Sequence, residues 1–204
     1  MMRNSAVDWL LTLSMLVVLS VLTYQVACGQ EEEEEKEYEP AGQAVLLALL
    51  PHSKLSLADG VKLAHKGAET PISAKFELDD SKKLSLSVYT AEKGLSLEPE
   101  DNVLKELSGS PEESTWTPEV EVFKDKHHLT RASEQLVLVS LSPRSLLDIV
   151  NDASNRQSGM VYSITPRLQA HKPVFIVLVA KNGKVTSLAY DVLTGRFLWQ
   201  NERQ

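Results

Sequence analysis

Histidine and cysteine are the residues of this chain that could bind a transition metal or act as strong nucleophiles. The histidines are scattered at His52, His65, His127, His128 and His171, and the cysteine is Cys28. Structural zinc sites need ligand pairs at short characteristic spacings. The adjacent pair His127 and His128 would point about 100° apart on a helix, so local spacing does not let them share a metal. The sequence therefore predicts no metal site and no cofactor.

Motifs of known enzymes are also missing from the sequence. It contains no G-x-S-x-G nucleophile elbow, no H-E-x-x-H helix and no glycine-rich phosphate loop. Serine is abundant, but several serines alternate with apolar residues, as on the solvent face of a strand. We predict that the chain is not an enzyme and assign no catalytic residue. An unrecognised active site assembled from distant residues is the alternative.

Cys28 closes an apolar leader. Between Trp9 and Gln30 there is no charged side chain, and Leu and Val dominate the run. Each central Leu or Val favours membrane insertion by about 0.3–0.6 kcal/mol. Together with the preceding Arg3, this pattern is typical of a secretory signal. An uncleaved membrane anchor and ordinary signal cleavage with a free thiol both remain open, and each places the rest of the chain beyond the cytoplasmic membrane.

The end of the leader, "QVAC" followed by Gly29, resembles the lipobox of bacterial lipoproteins. Ala27 fits the small residue before the cleavage point, whereas Gln25 departs from the usual Leu-like residue. The resemblance implies that residues 1–27 are removed as a signal peptide and that the thiol of Cys28 carries a diacylglyceryl group. It also implies an extracytoplasmic protein, anchored in the membrane of a bacterial cell envelope. With no second cysteine for a disulfide, the core alone must hold such an exported domain together.

An acidic tether follows the leader, at residues 28–42. The segment "EEEEEKEYE" carries a net charge of −6 out of −7 for the whole chain, which leaves −1 on residues 40–204. Crowded like charges repel one another and bury no apolar area, so we predict a disordered tether. The remainder has no basic stripe, and we therefore predict no nucleic-acid partner.

The body of the chain reads as two similar halves. "AVLLALLPHSKLSLADGVKLAHK" begins one half at Ala44, and "QLVLVSLSPRSLLDIVNDASNR" begins the other at Gln135. Each has an apolar stretch, a proline and then apolar residues at helical spacing, which predicts an amphipathic helix. Ser56 and Ser145 stand just before this periodicity, where a serine can cap the helix N-terminus.

Strands follow the helix in both halves. "LSLSVYTAEKG" alternates, which predicts a strand with its serines on a solvent face. "VFIVLVA" is apolar at every position and predicts a central strand covered on both sides. Asn182-Gly183 predicts a type I′ hairpin. Aligning Gly94 with Gly183 also aligns "NVLKEL" with "DVLTGR". We therefore predict an α+β fold of two tandem units, each a helix packed on a small antiparallel sheet, and leave open whether the units share one sheet.

Residues 143–200 resemble the PepSY domain, which closes with a strand of the form D-x-x-T-G-[KR]-hydrophobic. The matching residues are Asp191, Thr194, Gly195, Arg196 and Phe197. Residues 51–108 resemble it more loosely, because "DNVLKEL" lacks the Thr-Gly. The acidic residue expected on the first strand is matched in the first half alone, by Glu77. On this resemblance the body divides into a first unit at 43–110, a linker at 111–134 and a second unit at 135–204.

The PepSY resemblance implies a binding role, since such domains occur in secreted and membrane-attached bacterial proteins and restrain peptidases without being enzymes. We therefore predict a non-catalytic, membrane-tethered protein that binds a protein or extended peptide, such as a peptidase. The alternative is a structural envelope lipoprotein that acts as an assembly scaffold. The sequence identifies no binding residues. Trp116, Trp199 and Phe197 are candidate anchors if exposed. For Trp199, its place on the last strand favours core packing or sheet-edge cover over binding.

Overall fold

In the computed structural model, the chain has an α+β fold, as the sequence predicts. It describes residues 40–96 and 98–203. The helices are α1 (Pro40–Leu49), α2 (Leu57–Ala64), α3 (Lys126–Ser140) and α4 (Leu146–Arg156). The strands are β1 (Thr70–Leu78), β2 (Leu84–Ala91), β3 (Leu104–Gly109), β4 (Glu119–Val122), β5 (Met160–Gln169), β6 (Lys172–Lys181), β7 (Lys184–Asp191) and β8 (Phe197–Arg203).

The strands form one continuous antiparallel sheet rather than two small ones. It has eight strands in the order β4-β3-β2-β1-β5-β6-β7-β8. The two halves join where β1 pairs with β5, with Ala74 opposite Ile164. Buried apolar residues from both halves belong to one hydrophobic cluster. The described residues therefore share a single sheet and a main core, and β4 and β8 are the outer strands.

Helices α2 and α4 begin with the same capping arrangement, which confirms the predicted serine caps. Ser56 Oγ accepts the backbone N–H of Asp59 at 3.1 Å, and the Asp59 carboxylate accepts the backbone N–H of Ser56 at 3.0 Å. Ser145 and Asp148 repeat these bonds at 3.2 and 3.0 Å. Each pair satisfies two N–H groups that a helix start leaves without partners.

The helices cover both faces of the sheet. Gly60 of α2 lies so close to Leu86 of β2 that an added Cβ would sit 2.6 Å from that side chain. Arg156 of α4 lies over the ring of Phe197, which packs against Tyr190. We call the side covered by α2 and α4 the front face. Helix α3 lies on the back face, where Gln135 accepts a hydrogen bond from Ser73 at 2.9 Å.

The prediction that β2 has a solvent-exposed face is wrong. Every residue of β2 is buried, and Ser85 and Ser87 are 8% and 1% exposed. Helix α3 packs over the back face at Ser73, and the carboxylate of Glu77 accepts the hydroxyl of Ser87. The alternation of serines with apolar residues predicts a solvent-exposed serine face, because a local pattern does not show which distant residues cover that face. By contrast, β6 is buried on both faces from Val174 to Val177, as predicted.

Turns and boundaries follow the sequence in part. Asn182 and Gly183 have φ values of 52° and 75°, which confirms the predicted hairpin between β6 and β7. Helix α1 begins inside the predicted tether, and the predicted linker at 111–134 contains β4 and the first part of α3. The alignment of "NVLKEL" with "DVLTGR" is wrong, because the first segment leads into β3 and the second leaves β7.

Within the described residues no single helix has the length and apolar composition to cross a membrane. The bent pair Ala41–His52 and Leu57–Ala64, with 79° between the helices, passes that test only when the two are taken together.

Candidate functional site at the β4 edge

Strand β4 is an outer strand whose free side carries unpaired main-chain groups. Its register with β3 places Glu121 opposite Glu106 and Val120 opposite Leu107. The backbone N–H of Phe123 donates to the carbonyl of Leu104 at 3.0 Å, and this bond shows which residues of β4 point their main-chain groups towards β3. In an antiparallel pair, alternate residues point their N–H and C=O groups towards the neighbour. Glu119 and Glu121 therefore bond to β3, while the N–H and C=O groups of Val120 and Val122 point outwards.

The two sides of β4 differ in chemistry. The side chains of Val120 and Val122 lie on the front face and are 59% and 45% exposed. Glu119 and Glu121 lie on the back face and are also exposed. Beside the strand runs an open groove of about 500 Å³, lined by Val120, Glu121, Val122, Lys124 and Asp125. The edge thus offers an apolar side and an acidic side to anything that lies along it.

The acidic side continues into the sheet as a row of carboxylates, Glu77, Glu106, Glu119 and Glu121, which we call the acidic strip. Burial raises the pKa of Glu106, and the charges of Glu77 and Glu121 raise it further. The charge of Lys75 acts in the opposite direction. Lys75 also pairs with Glu77. Within the described parts of the chain, no ion pair involves Glu119 or Glu121.

Buried aromatic side chains hold both ends of β4. Phe123, directly after the strand, is 5% exposed, packs edge-on against Tyr89 with 4.8 Å between ring centroids and stacks on His128. Trp116, just before the strand, is 9% exposed, and its indole Nε1 lies against Gly109. Asp125 then caps α3 by accepting the backbone N–H of His128 at 3.0 Å. The strand is therefore held in an extended conformation before any partner arrives.

The three aromatic residues that the sequence marks as candidate anchors lie in different environments. Trp116 is buried, so it is not an exposed anchor but a support for β4. Trp199 on β8 packs against Val174, Ile176 and Ala189, which agrees with the predicted sheet-edge cover. Phe197 is half-buried between Tyr190 and Arg156. The residues that line the β4 groove were not assigned a role from the sequence, although the alternation in "PEVEVF" is the signal that could have found them.

The D-x-x-T-G residues form a turn between β7 and β8. Asp191 Oδ1 accepts both the backbone N–H and the hydroxyl of Thr194, each at 2.7 Å. Gly195 has a φ of +67°, and its carbonyl accepts a hydrogen bond from Arg144 at 3.0 Å. The backbone N–H of Asp191 donates to Arg196 O at 2.8 Å. These residues join the start of α4 to the sheet, at the opposite end of the strand order from β4.

The histidines do not converge. His52, His65 and His171 are exposed at separate turns, and His127 and His128 lie in the first turn of α3. Among residues 40–96 and 98–203, no three His, Cys, Asp or Glu side chains are arranged to hold a metal ion. Cys28, the predicted lipidation site, and the leader lie outside the described residues. Glu77, the acidic residue of the PepSY resemblance, belongs to the acidic strip.

Comparison with known proteins adds little to this picture. No protein-family model matches the chain, and no curated protein matches it. The PepSY resemblance therefore has no support from a family model. A solved structure described as a "putative lipoprotein" from Clostridium difficile 630 aligns with 74% of this chain and 95% of its own, at 12% identity and a TM-score of 0.39. A likeness at that TM-score carries no argument about fold or function.

Proposed function

We propose that this chain is a non-catalytic, membrane-tethered extracytoplasmic protein that binds an extended segment of another protein along β4. The observation that carries the proposal is the open edge at Val120 and Val122, whose main-chain groups point outwards and whose side chains are 59% and 45% exposed. Natural proteins commonly protect sheet edges, because an open edge accepts any extended chain. Addition of a strand to such an edge is a common mode of peptide recognition.

The rigidity of β4 favours binding over accidental exposure. Phe123 and Trp116 fix the strand at its two ends, so little conformational entropy remains to be lost when a partner pairs with it. Preorganisation of this kind raises affinity without adding contacts. The tether is inferred from the sequence: the apolar leader, Cys28 and the acidic segment would attach the chain to a membrane.

A finer form of the proposal is a duplicated, PepSY-like modulator of peptidases. In both capping pairs, Ser56–Asp59 and Ser145–Asp148, the serine and the aspartate are the same number of residues apart. A further serine precedes each pair, Ser53 or Ser142, and forms hydrogen bonds with the backbone two residues after it. Each helix is followed by an antiparallel meander, and the strand order is symmetric about the β1–β5 pair. These features support an internal repeat. A domain that occupies the substrate groove of a peptidase by adding a strand would restrain it sterically.

The experiment is a pull-down with the purified full chain in detergent, incubated with envelope extract, followed by mass spectrometry and assays of proteolysis. We expect stable retention of a protein partner. Retention with inhibition of a proteolytic activity supports the peptidase modulator. Retention without inhibition supports the scaffold instead. Turnover of a substrate by the pure chain, or failure to retain any protein, contradicts the proposal.

Cys28→Ser separates anchoring from binding. We expect this variant to leave the membrane fraction while it retains the same partner in the pull-down. The mature N-terminal peptide of the natural chain should be heavier by the mass of a lipid. An unmodified N-terminus at Met1 contradicts lipidation but leaves the binding test unaffected.

A further inference from the structure

We infer that the segment bound at β4 is one in which basic residues alternate with apolar residues. The inference rests on the proposed function and specifies the partner chemistry of the same edge. Val120 and Val122 each present one outward N–H and one outward C=O. An added strand can therefore form main-chain hydrogen bonds at both positions, and these bonds carry no sequence preference. The preference must come from the side chains on the two faces.

Glu119 and Glu121 select the side chains on the back face. Residues directly opposite each other in a sheet interact, and opposite charges stabilise the pair while like charges destabilise it. Both glutamates are exposed, and within the described residues neither has an ion-pair partner. Glu106, which lies directly opposite Glu121 on β3, adds negative charge behind them. Lysine or arginine at every second position of the added strand would relieve this repulsion.

Val120 and Val122 select the side chains on the front face. Val120 lies opposite the buried Leu107 of β3, and Val122 lies opposite Lys105, whose charge is paired with Glu69 and Glu92. An apolar side chain opposite the exposed valines would therefore extend the front face of the sheet by one strand. Because successive residues of a strand point to opposite faces, the two requirements combine into strict alternation. Lys124 and Asp125, which also line the groove, have opposite charges and do not alter the sign of the edge.

A second copy of this chain does not meet the requirement. In a symmetric antiparallel pair of β4 strands, the outward-facing residues must pair with each other. If Val120 lies opposite Val122 of the second copy, Glu121 lies opposite Glu121. If Val120 lies opposite Val120, Glu119 lies opposite Glu121. Both of these registers set like charges against each other, and the register with Val122 opposite Val122 moves Val120 beyond the end of the second copy's β4. Self-association is therefore disfavoured, and the edge is left available to a different, basic partner.

The test uses the full chain in detergent micelles and labelled synthetic peptides, with binding measured by fluorescence anisotropy. The peptides are a Lys-Val alternating peptide of about seven residues, its Glu-Val counterpart and a Lys-Val peptide of the same composition with its lysines in one block. We expect the alternating Lys-Val peptide to bind at least about tenfold more tightly than either of the others. The preference should weaken as salt is raised, because screening reduces interactions between exposed charges. Equal binding of the Lys-Val and Glu-Val peptides would overturn the inference.

Two variants and a control locate the binding. Val120→Pro removes an outward N–H that the sheet does not use, and proline is tolerated on edge strands; we expect about tenfold weaker binding. The double variant Glu119→Lys with Glu121→Lys should reverse the preference in favour of the Glu-Val peptide. The control is Gln200→Pro on β8, the outer strand at the opposite edge. Gln200 lies opposite Leu188 of β7, whose main-chain groups point towards β6, so the N–H of Gln200 points outwards and is removed by the substitution. Unchanged binding in Val120→Pro, or equal loss in Gln200→Pro, would refute binding at β4.

The outcomes also separate this inference from the proposed function. If the pull-down retains a partner that Val120→Pro no longer retains, while the Lys-Val and Glu-Val peptides bind equally well, the proposed function stands and the inference about the partner's side chains is wrong. If the Lys-Val peptide binds at β4 but envelope extract yields no retained protein, the inference stands and the proposed function is wrong. Circular dichroism of each variant checks that the fold is intact, and the exposed double variant provides an answer if Val120→Pro does not fold.

Discussion

The matched helix caps allow a quantitative test of the single-sheet architecture. Ser56→Ala and Ser145→Ala each remove the acceptor of one backbone N–H, at 3.1 and 3.2 Å respectively. Loss of a serine N-cap costs about 1 kcal/mol. The two caps share no hydrogen-bond partner, so their effects should add to about 2 kcal/mol in the double variant. For a domain of this size, that loss lowers Tm by about 4–8 °C.

The assay is thermal and urea unfolding of the full chain, followed by circular dichroism. Because both helices pack on one hydrophobic cluster, we expect a single transition that either substitution shifts as a whole. Ser81→Ala, at an exposed serine in the β1–β2 turn, should leave the transition unchanged. Two separate transitions, each moved by only one of the cap variants, would refute the reasoning, because they would mean that the halves fold independently.

The caps also have a pH signature. The hydrogen bonds from Ser56 lower the pKa of Asp59, and those from Ser145 lower the pKa of Asp148. A carboxylate with a lowered pKa contributes stability above its ordinary pKa, and this contribution disappears as the pH falls through the lowered value. The difference in unfolding free energy between the natural chain and either cap variant should therefore shrink in strong acid. A difference that stays constant to below pH 2 would contradict the role of the aspartates.

Three further substitutions test the acidic strip, the β7–β8 turn and the back face. Glu106→Gln should stabilise the chain by about 0.2–1 kcal/mol at pH 7 and not at pH 4. Because the pKa of Glu106 is raised in the fold, the natural chain loses stability as the pH rises, and the glutamine variant does not. The urea midpoint of both chains at each pH measures this. Gly195→Ala should lower stability by about 1–2 kcal/mol or more, because φ is +67° and Arg144 fills the space of a Cβ. Gly183→Ala should lower it less, because no atom lies within 4 Å of the added Cβ. Gln135→Ala should cost about 1–3 kcal/mol by leaving the buried Ser73 hydroxyl without its acceptor. No change in any one of these would contradict the corresponding contact.

The features that the sequence predicts well are local. Ser145 and Asp148 lie within one turn of helix, and Asn182-Gly183 specifies its own backbone conformation, so neither depends on distant parts of the chain. The union of the two halves is not local. The pairing of Ala74 with Ile164 joins strands far apart in the chain, and alternation in either strand is equally compatible with two small sheets.

The candidate site shows the same limit. The alternation in "VEVF" is typical of a short strand, but its exposure depends on what the rest of the chain places beside it. The same uncertainty made the serines of β2 appear solvent-exposed, although both are buried and Ser87 is bonded to the carboxylate of Glu77. Helix α3 itself is hard to foresee, because its buried residues include Gln135 and its first turns are polar. Burial at an edge is therefore a property of the assembled sheet, and the sequence alone does not determine it.

The most direct test of the central claim is amide hydrogen exchange of the full chain, alone and bound to the partner recovered from envelope extract. The account predicts that the amides of Val120 and Val122 exchange fast in the free chain and slowly in the complex, while the amide of Gln200 on the opposite edge does not change. A tight complex in which Val120 and Val122 exchange as fast as in the free chain would contradict it.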